Sequence, residues 1–325
     1  ANYKFEGLRV FTNKPPCGPK RGHGTPQPRF ALEVQLDKFA EDLGLNPAEL
    51  RLRHLMQPDT RAINHLTVTT IGLKECIEKI TKASGFESKH RRLPEGRGIG
   101  IACSAYLTGA GLPIYWNKMP HSGVQMKIDR GGGVTVFCGS IDIGQGSDSV
   151  LAAIVAEELG IDPDHVIVVT ADTDLTPVDL GSYSSRVTLM TGNATIEAVR
   201  TLKEKLFAAV AEVFQCDPES LTLSEGQVVS MKGKKQEVPF TDAVQWAEAK
   251  FGTLGSVGSY TPPRRGGKFK GAGVGPSPNY SYSACVAEVE CDQETGIYRV
   301  LKLWLAHDVG RSINPIQVMG QVEGS

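Results

Sequence analysis

Four polar, glycine-rich loops hold the residue types that can do chemistry in this chain. They are Lys20-Arg-Gly-His-Gly-Thr-Pro-Gln27, Gly139-Ser-Ile-Asp-Ile-Gly-Gln-Gly-Ser-Asp-Ser149, Gly181-Ser-Tyr-Ser-Ser-Arg-Val-Thr188 continuing to Thr191-Gly-Asn193, and Gly320-Gln-Val-Glu-Gly-Ser325. Each sets backbone N–H groups beside a hydroxyl, an amide or a guanidinium, a combination suited to a polar or anionic ligand. In the second loop a β-rich run, Val134 to Cys138, feeds a glycine turn and then a helix whose expected N-cap is Ser147. That arrangement presents bare N–H groups and a helix N-terminus to an anion. Gln145, between two glycines, can reach into the same space. Arg21 and Arg186 can each grip a phosphate with a two-bond fork, and Gln145 and Gln321 can read a heterocycle or hold an oxo group.

Plainer readings stand beside these. A lone Gly-x-Gly loop is usually a turn, a histidine such as His23 in a turn is commonly structural, Ser184 and Ser185 are ordinary loop residues, and Glu323 can be a helix-start carboxylate. Other patterns lead nowhere. Gly271-Ala-Gly-Val-Gly275 lacks the strand–helix unit of a dinucleotide fingerprint. Asp172-Thr-Asp174 with Asp179 lacks the spacing and terminal Glu of a calcium loop. Asn193-Ala-Thr195 fits a glycosylation acceptor but falls at an expected helix start. Arg264-Arg-Gly-Gly-Lys-Phe-Lys270 reads as a solvated basic loop, with a phosphate-bearing substrate tail as the sharper alternative. No Ser–His–Asp or Cys–His arrangement marks a nucleophile.

The chain has 325 residues, 40% hydrophobic and 22% charged, with a net charge of −1. This is ordinary globular composition, and it gives no global field for nucleic acid or a membrane surface. No apolar run approaches a membrane span, and no signal-peptide pattern opens the chain. Seven cysteines, none in CxxC spacing, argue for a reducing, cytoplasmic setting and against a disulfide framework or a zinc site.

The elements that must position the loops follow from periodicity. A helix from Pro28 with Phe30, Val34 and Phe39 as its apolar stripe stops at Gly44. Asn46-Pro47-Ala48-Glu49 opens a second helix with a cap, a first-turn Pro and an acidic third residue. Leu73, Cys76, Ile77 and Ile80 define a third, closed by Gly85, and residues 87–98 read as a charged connection. The period then shifts to two. Ile99-Ile101-Cys103 is a strand, and Val124–Ile128 and Val134–Cys138 flank the hairpin turn Asp129-Arg-Gly-Gly-Gly133. A helix over 147–159, a buried strand over 166–170 and a long helix over 194–214 follow, the last with Ile196, Val199, Leu202, Leu206, Val210 and Val213 as its core stripe. A second hairpin, Ala284–Glu290 with Tyr298–Leu305 around Asp292–Gly296, leads into Asp308-Val-Gly-Arg-Ser-Ile-Asn-Pro315 and another helix. The order hairpin, Asp/Gly loop, helix thus occurs twice. It predicts an α+β fold of layered mixed sheets with packed helices and two related halves. The expected segments are an irregular loop plus helices over 1–95, a first subdomain over 96–215 and a second, truncated, over 216–325.

Taken together, the four loops resemble the molybdenum-binding catalytic subunit of the xanthine oxidase family, the molybdenum hydroxylases. Arg21-Gly-His-Gly-Thr-Pro-Gln27 is similar to that family's Arg-Gly-Phe-Gly-x-Pro-Gln segment, and Asp142-Ile-Gly-Gln-Gly146 to its Gly-Gln-Gly loop. Residues 181–188 resemble its Ser/Ala-rich cofactor loop, and Asp308–Pro315 with Gly320-Gln-Val-Glu-Gly324 its C-terminal signature. The resemblance covers essentially the whole chain. It implies a molybdopterin-binding fold and a bound molybdopterin, in the cytosine dinucleotide form, with molybdenum held by the pterin dithiolene and not by protein ligands. It implies cofactor contacts from Arg21, Gly22, Gly144, Gln145, Gly146, Ser184, Ser185, Arg186, Thr188 and Gln321. The family's general-base glutamate and its upstream Gly-Gly-Phe-Gly loop have no counterpart among these residues, so the chain reads as a fragment of a catalytic subunit.

Within the family, Pro120-His-Ser-Gly-Val-Gln125 and His23 in place of the family Phe resemble the α subunits of 4-hydroxybenzoyl-CoA reductases. That implies reductive removal of a ring hydroxyl from an aryl-CoA thioester to give benzoyl-CoA, in aromatic degradation. His23 is then the candidate proton donor, and Tyr106, Tyr115 and Trp116 line an acyl channel or simply pack. Electrons would come from iron–sulfur and flavin (FAD) partner subunits, in a dimer of heterotrimers. The alternatives are a molybdenum hydroxylase of an aldehyde or N-heterocycle and a non-catalytic ligand-binding module.

Overall fold

The computed structural model describes residues 4, 6–8, 10–16, 18, 21, 22, 24–63, 65–107, 109, 119–232, 235–263 and 280–324. His23, Tyr115, Trp116, the basic loop 264–270 and the glycine run 271–275 lie outside them. The chain divides into two compact units that alternate along the sequence: Ala1–Thr108 with Arg264–Ser312, and Gly109–Pro263 with Ile313–Ser325.

The first unit opens with α1 (Pro26–Asp42), α2 (Pro47–Arg53), a small ladder of β1 (Thr60–Arg61) and β2 (Thr67–Val68), α3 (Leu73–Ser84), the single turn α4 (Phe86–Lys89) and β3 (Arg97–Leu107). The helix punctuation follows local chemistry. Asn46 caps α2 by accepting from the Ala48 N–H at 2.8 Å, and Gly85 ends α3 in the left-handed conformation at φ +66°. The start of the expected charged connection is helical, because Phe86 is fully buried and anchors α4.

The chain then builds the second unit with β4 (Ser122–Ile128), β5 (Val134–Cys138), α5 (Ser147–Leu159), β6 (Val166–Val169), α6 (Val187–Phe214), β7 (Leu221–Ser224), β8 (Gln227–Ser230), β9 (Glu237–Pro239), α7 (Phe240–Phe251) and β10 (Gly255–Tyr260). It returns to the first unit for β11 (Tyr280–Cys291) and β12 (Tyr298–Asp308), and α8 (Pro315–Glu323) belongs to the second.

In the first unit β12, β11 and β3 form an antiparallel sheet in that order. Its core packs Ile101, Cys103, Ala284 and Val286 against Cys76, Ile77, Ile80 and Phe86. Here α1 corrects the sequence. The expected stripe Phe30, Val34 and Phe39 is exposed, and the buried residues of the helix are Glu33 and Ala40. The docking is polar. The Glu33 carboxylate accepts the Cys103 N–H at 2.8 Å and pairs with buried Arg51 at 2.9 Å, so a charge on α1 satisfies a backbone donor of β3 that its partner strand does not use.

The second unit centres on the mixed sheet β10-β4-β5-β6, with β5 and β6 parallel and the other pairs antiparallel. The predicted hairpin is present: Asp129 closes it by accepting from the Gly131 and Gly133 N–H groups at 2.8 and 3.0 Å. The helix over 147–159 matches α5. The long helix begins seven residues earlier than periodicity predicts, at Val187, so Thr191-Gly-Asn193 is helical and not loop. Val199, Leu202, Leu206 and Val210 are fully buried as expected, whereas Ile196 and Val213 are exposed and Ala194 and Ala198 take the core positions. Small residues there let α6 lie directly on β10. A Cβ on Gly258 would coincide with the Ala194 carbonyl and come within 2.6 Å of the Ala198 N. A separate antiparallel sheet, β7-β8-β9, packs with α7.

Gly258→Ala forces backbone against backbone, and overpacking of this kind costs about 1–3 kcal/mol. Denaturant unfolding of the variant is expected to show a midpoint lowered accordingly, with unchanged slope.

Candidate functional site

In the second unit the 139–147 loop leaves β5 and enters α5. Its N-cap is Gly146 at φ +79°, not Ser147, which is the buried first residue of the helix. The expectation of bare N–H groups also needs correction. Asp142 Oδ1 accepts from Gly144 N at 2.8 Å and Gly146 N at 3.2 Å, and its Oδ2 accepts from Asp148 N at 3.3 Å. The anion at this helix N-terminus is therefore the protein's own carboxylate. Partial burial pushes the Asp142 pKa up, but the N–H groups of Gly144, Asp148, Gly146 and Ser147 outweigh it and hold the carboxyl below its ordinary value. Burial, and then the Asp142 charge, push Asp148 the other way.

Gln145 folds back into this loop. Its Oε1 accepts the Ile143 N–H at 2.6 Å, and its Nε2 donates to the Ile141 carbonyl at 3.1 Å and Ser147 Oγ at 2.9 Å. Gly144, at φ +98°, faces open space: a Cβ there would meet nothing within 4 Å.

The 181–186 loop precedes α6. Ser184 and Ser185 both adopt the left-handed conformation at φ +53°, which costs a serine on the order of 1 kcal/mol or more. Ser184 is buried, and Ser185 and the following Thr188 are exposed. Arg186 was expected to grip a phosphate, but its side chain is buried (1% exposed) beside an equally buried Asp179 at 2.6 Å. Its remaining donors go to the Gly181 carbonyl at 2.6 Å, the His121 carbonyl at 2.8 Å and Ser122 Oγ at 3.4 Å. Asp179 is equally committed. It accepts from Gly181 N at 2.7 Å, Thr191 Oγ1 at 3.3 Å, and Ser122 Oγ through a short bond. The guanidinium fork is thus aimed at the scaffold, because a buried cation needs a buried anion and saturated donors to persist.

The two loops are stitched together. Ser182 Oγ accepts the Ile141 N–H at 2.9 Å and donates to the Ile141 carbonyl at 2.7 Å. At Gly139 a Cβ would collide with the Pro177 carbonyl and lie 3.0 Å from the Asp179 N. Gln145, Ser184 and Ser185 therefore sit on two loops braced as one, with Thr188 in the first turn of α6 that follows the second. Gln321 lies exposed on the last turn of α8, whose cap is Asn314, accepting from Gln317 N at 3.1 Å.

Arg21 and Gly22 belong to the first unit. Gly22, at φ +101°, turns the chain, and its carbonyl accepts both the N–H and the hydroxyl of Thr25, at 3.0 and 2.7 Å. Arg21 is exposed and Tyr106 lies half-buried in β3. Among the described residues no three His, Cys, Asp or Glu side chains converge on a metal position. Burial raises the Cys76, Cys103 and Cys138 thiols, Cys103 to about 12, so none of these is a thiolate nucleophile. Periodicity and loop composition did not single out Gln317, and they gave Ser122, Asp179 and Ser182 no bracing role. A signal for Asp142 is present in Asp-x-Gly ahead of a helix, a local capping pattern.

Residues 77–325 match the family described as a molybdopterin cofactor-binding domain, and residues 1–55 match a second family of the same description. The chain is 29% identical over 331 residues to a putative xanthine dehydrogenase molybdenum-binding subunit of Escherichia coli (strain K12), covering 99% of this chain and 42% of that protein. It is 30% identical over 328 residues to the gamma subunit of a 6-hydroxypseudooxynicotine dehydrogenase complex of Paenarthrobacter nicotinovorans, covering 97% and 40%. Quinoline 2-oxidoreductase from Pseudomonas putida 86 superposes with a TM-score of 0.82 at 25% identity, over 96% of this chain and 41% of that one. The chain thus spans about two fifths of the length of the relatives it matches.

Arg186→Met strands the Asp179 charge, and breaking such a buried pair costs about 3–5 kcal/mol. The expected outcome is a large fall in unfolding free energy, read by chemical denaturation. At neutral pH Asp142→Asn is expected to be less stable than the wild type by about 0.3–1 kcal/mol, the contribution of a negative charge at a helix N-terminus. Because the folded pKa of Asp142 is depressed, the stabilisation is full above the ordinary carboxylate value and disappears as pH falls through the folded value. The gap between the two proteins is therefore expected to close in acid.

Proposed function

The chain belongs to the molybdopterin cofactor-binding family of xanthine oxidase-type molybdenum-binding subunits, and we propose that it holds the pterin of a molybdenum-dependent oxidoreductase. The observation that carries this reading is the bracing of the 139–147 and 181–186 loops through Ser182 and the Arg186–Asp179 pair. It gives a neutral polar surface of amide, hydroxyl and backbone groups. The residues fit such a cofactor: open space over Gly144 leaves room at the turn, and hydroxyls and an amide line it.

When bound, the molybdenum centre supplies two-electron transfer at the substrate. The chain's own part is holding and orienting. The Gln145 amide would exchange its bonds within the loop for bonds to the cofactor. Gly144 and Gly146 keep the turn bare, Ser184, Ser185 and Thr188 offer hydroxyls, and Gln321 offers a second amide. In the first unit, Arg21 and Gly22 are the residues that the family resemblance assigns to the cofactor. Arg186 acts as a positioning residue through Asp179, in place of a direct phosphate contact.

For the reaction, relatives named for xanthine and quinoline favour hydroxylation of an N-heterocycle. The second reading, reductive dehydroxylation of 4-hydroxybenzoyl-CoA, is favoured by one specific feature, His23 where the family carries Phe, with the imidazole as proton donor. The cytosine dinucleotide form of the cofactor, and iron–sulfur and flavin subunits as electron partners, accompany both readings.

Elemental and pterin analysis of the full-length protein is expected to find stoichiometric molybdenum and pterin; their absence would overturn the proposal. Turnover of N-heterocycles without benzoyl-CoA formation from a low-potential donor would select hydroxylation, and the converse would select the reductase.

A further inference from the structure

We propose that Gln317 is a positioning residue that locks α8 to the Gly144-Gln145-Gly146 turn, so that the two glutamines proposed to face the cofactor, Gln145 and Gln321, move as one body. The proposal rests on the cofactor reading for its pterin readout alone. The geometry lies wholly within the second unit. A Cβ on Gly146 would coincide with the Gln317 amide, meeting its Nε2, Cδ and Oε1 together. The amide therefore lies flat against the bare Cα of Gly146. Glycine is needed there for its φ of +79° as the cap of α5, and any side chain would also displace the Gln317 amide.

Within this chain the contact is the anchor of a helix that buries no side chain of its own. None of its side chains is buried, and Ile316 and Met319 are 84% and 56% exposed. The Gln317 backbone is fixed by the Asn314 cap, so the side chain leaves α8 from a defined point and reaches the turn four residues from the position of Gln321. Its Oε1 is buried and accepts no hydrogen bond among the described residues. The side chain consequently acts by bulk and fit rather than by hydrogen bonding, and the partner it fits is a turn whose N–H groups already belong to Asp142.

The test uses the full-length protein as Gln317→Ala and Gln317→Met, the second keeping the length of the side chain without its amide. Hydrogen exchange is expected to accelerate at least tenfold in Gln317→Ala, both in α8 and at residues 144–148, and to stay within about twofold of wild type in Gln317→Met. Faster exchange in α8 with an unchanged turn would overturn the proposal, as would Gln317→Met behaving like Gln317→Ala. Pterin release supplies the independent readout. If Gln317 acts through the turn, the Gln145→Ala, Gln317→Ala double variant loses pterin no faster than the quicker single variant. Multiplying effects would mean that the two residues act separately and would also overturn it. A wild-type protein that never holds pterin defeats the cofactor reading on its own, and the exchange measurement then still decides the coupling.

Discussion

The buried pair of Arg186 and Asp179 is the constraint on which the second unit's loops depend. Two charges removed from water need hydrogen-bonding partners to persist, and here these come from three stretches of chain: His121 and Ser122 at the head of β4, Gly181 in the loop, and Thr191 inside α6. Each of those segments is fixed because the pair would be left incomplete without it. The strand, the loop and the helix are thereby held in one geometry by polar partners.

The same logic governs the neighbouring loop. Its helix N-terminus, an obvious place for a ligand's negative charge, is filled by Asp142. What remains available is neutral: an amide, hydroxyls and a turn without side chains. A surface of that kind discriminates by the placement of donors and acceptors rather than by attraction, and it is little affected by ionic strength. It would recognise a heterocycle by its edge, in keeping with the proposed pterin, more readily than it would trap a free anion.

Much of the fold could be read locally. Period-two runs around Asp129–Gly133 and Asp292–Gly296 specify their hairpins, Asn46 and Gly85 punctuate their helices, and Leu73–Ile80 marks a core stripe. The cap of α5 at Gly146, with Asp142 filling the turn, is a local departure; the others are non-local. The apolar face of α1 misleads because Glu33 finds Arg51 and the Cys103 N–H, partners 18 and 70 residues away. The start of α6 is missed because a Thr-Gly-Asn run reads as loop until Gly192 is seen against Ile154. The pairing of β10 with β4 joins segments more than a hundred residues apart, and nothing in either strand announces the other. In the site, residue types pick out the polar loops for which a role is proposed. They misassigned Arg186, since a guanidinium before a helix looks alike whether it faces a phosphate or a buried aspartate.

Ser184 and Ser185 carry a different implication. Two adjacent left-handed serines are a conformation in which glycine would be more comfortable, so the chain is not at its most stable sequence here. Selection for thermal tolerance would drift toward glycine at both positions and discard two hydroxyls in doing so. Relaxing the backbone at this turn and keeping the two hydroxyls proposed to face the cofactor are therefore opposed aims at residues 184 and 185.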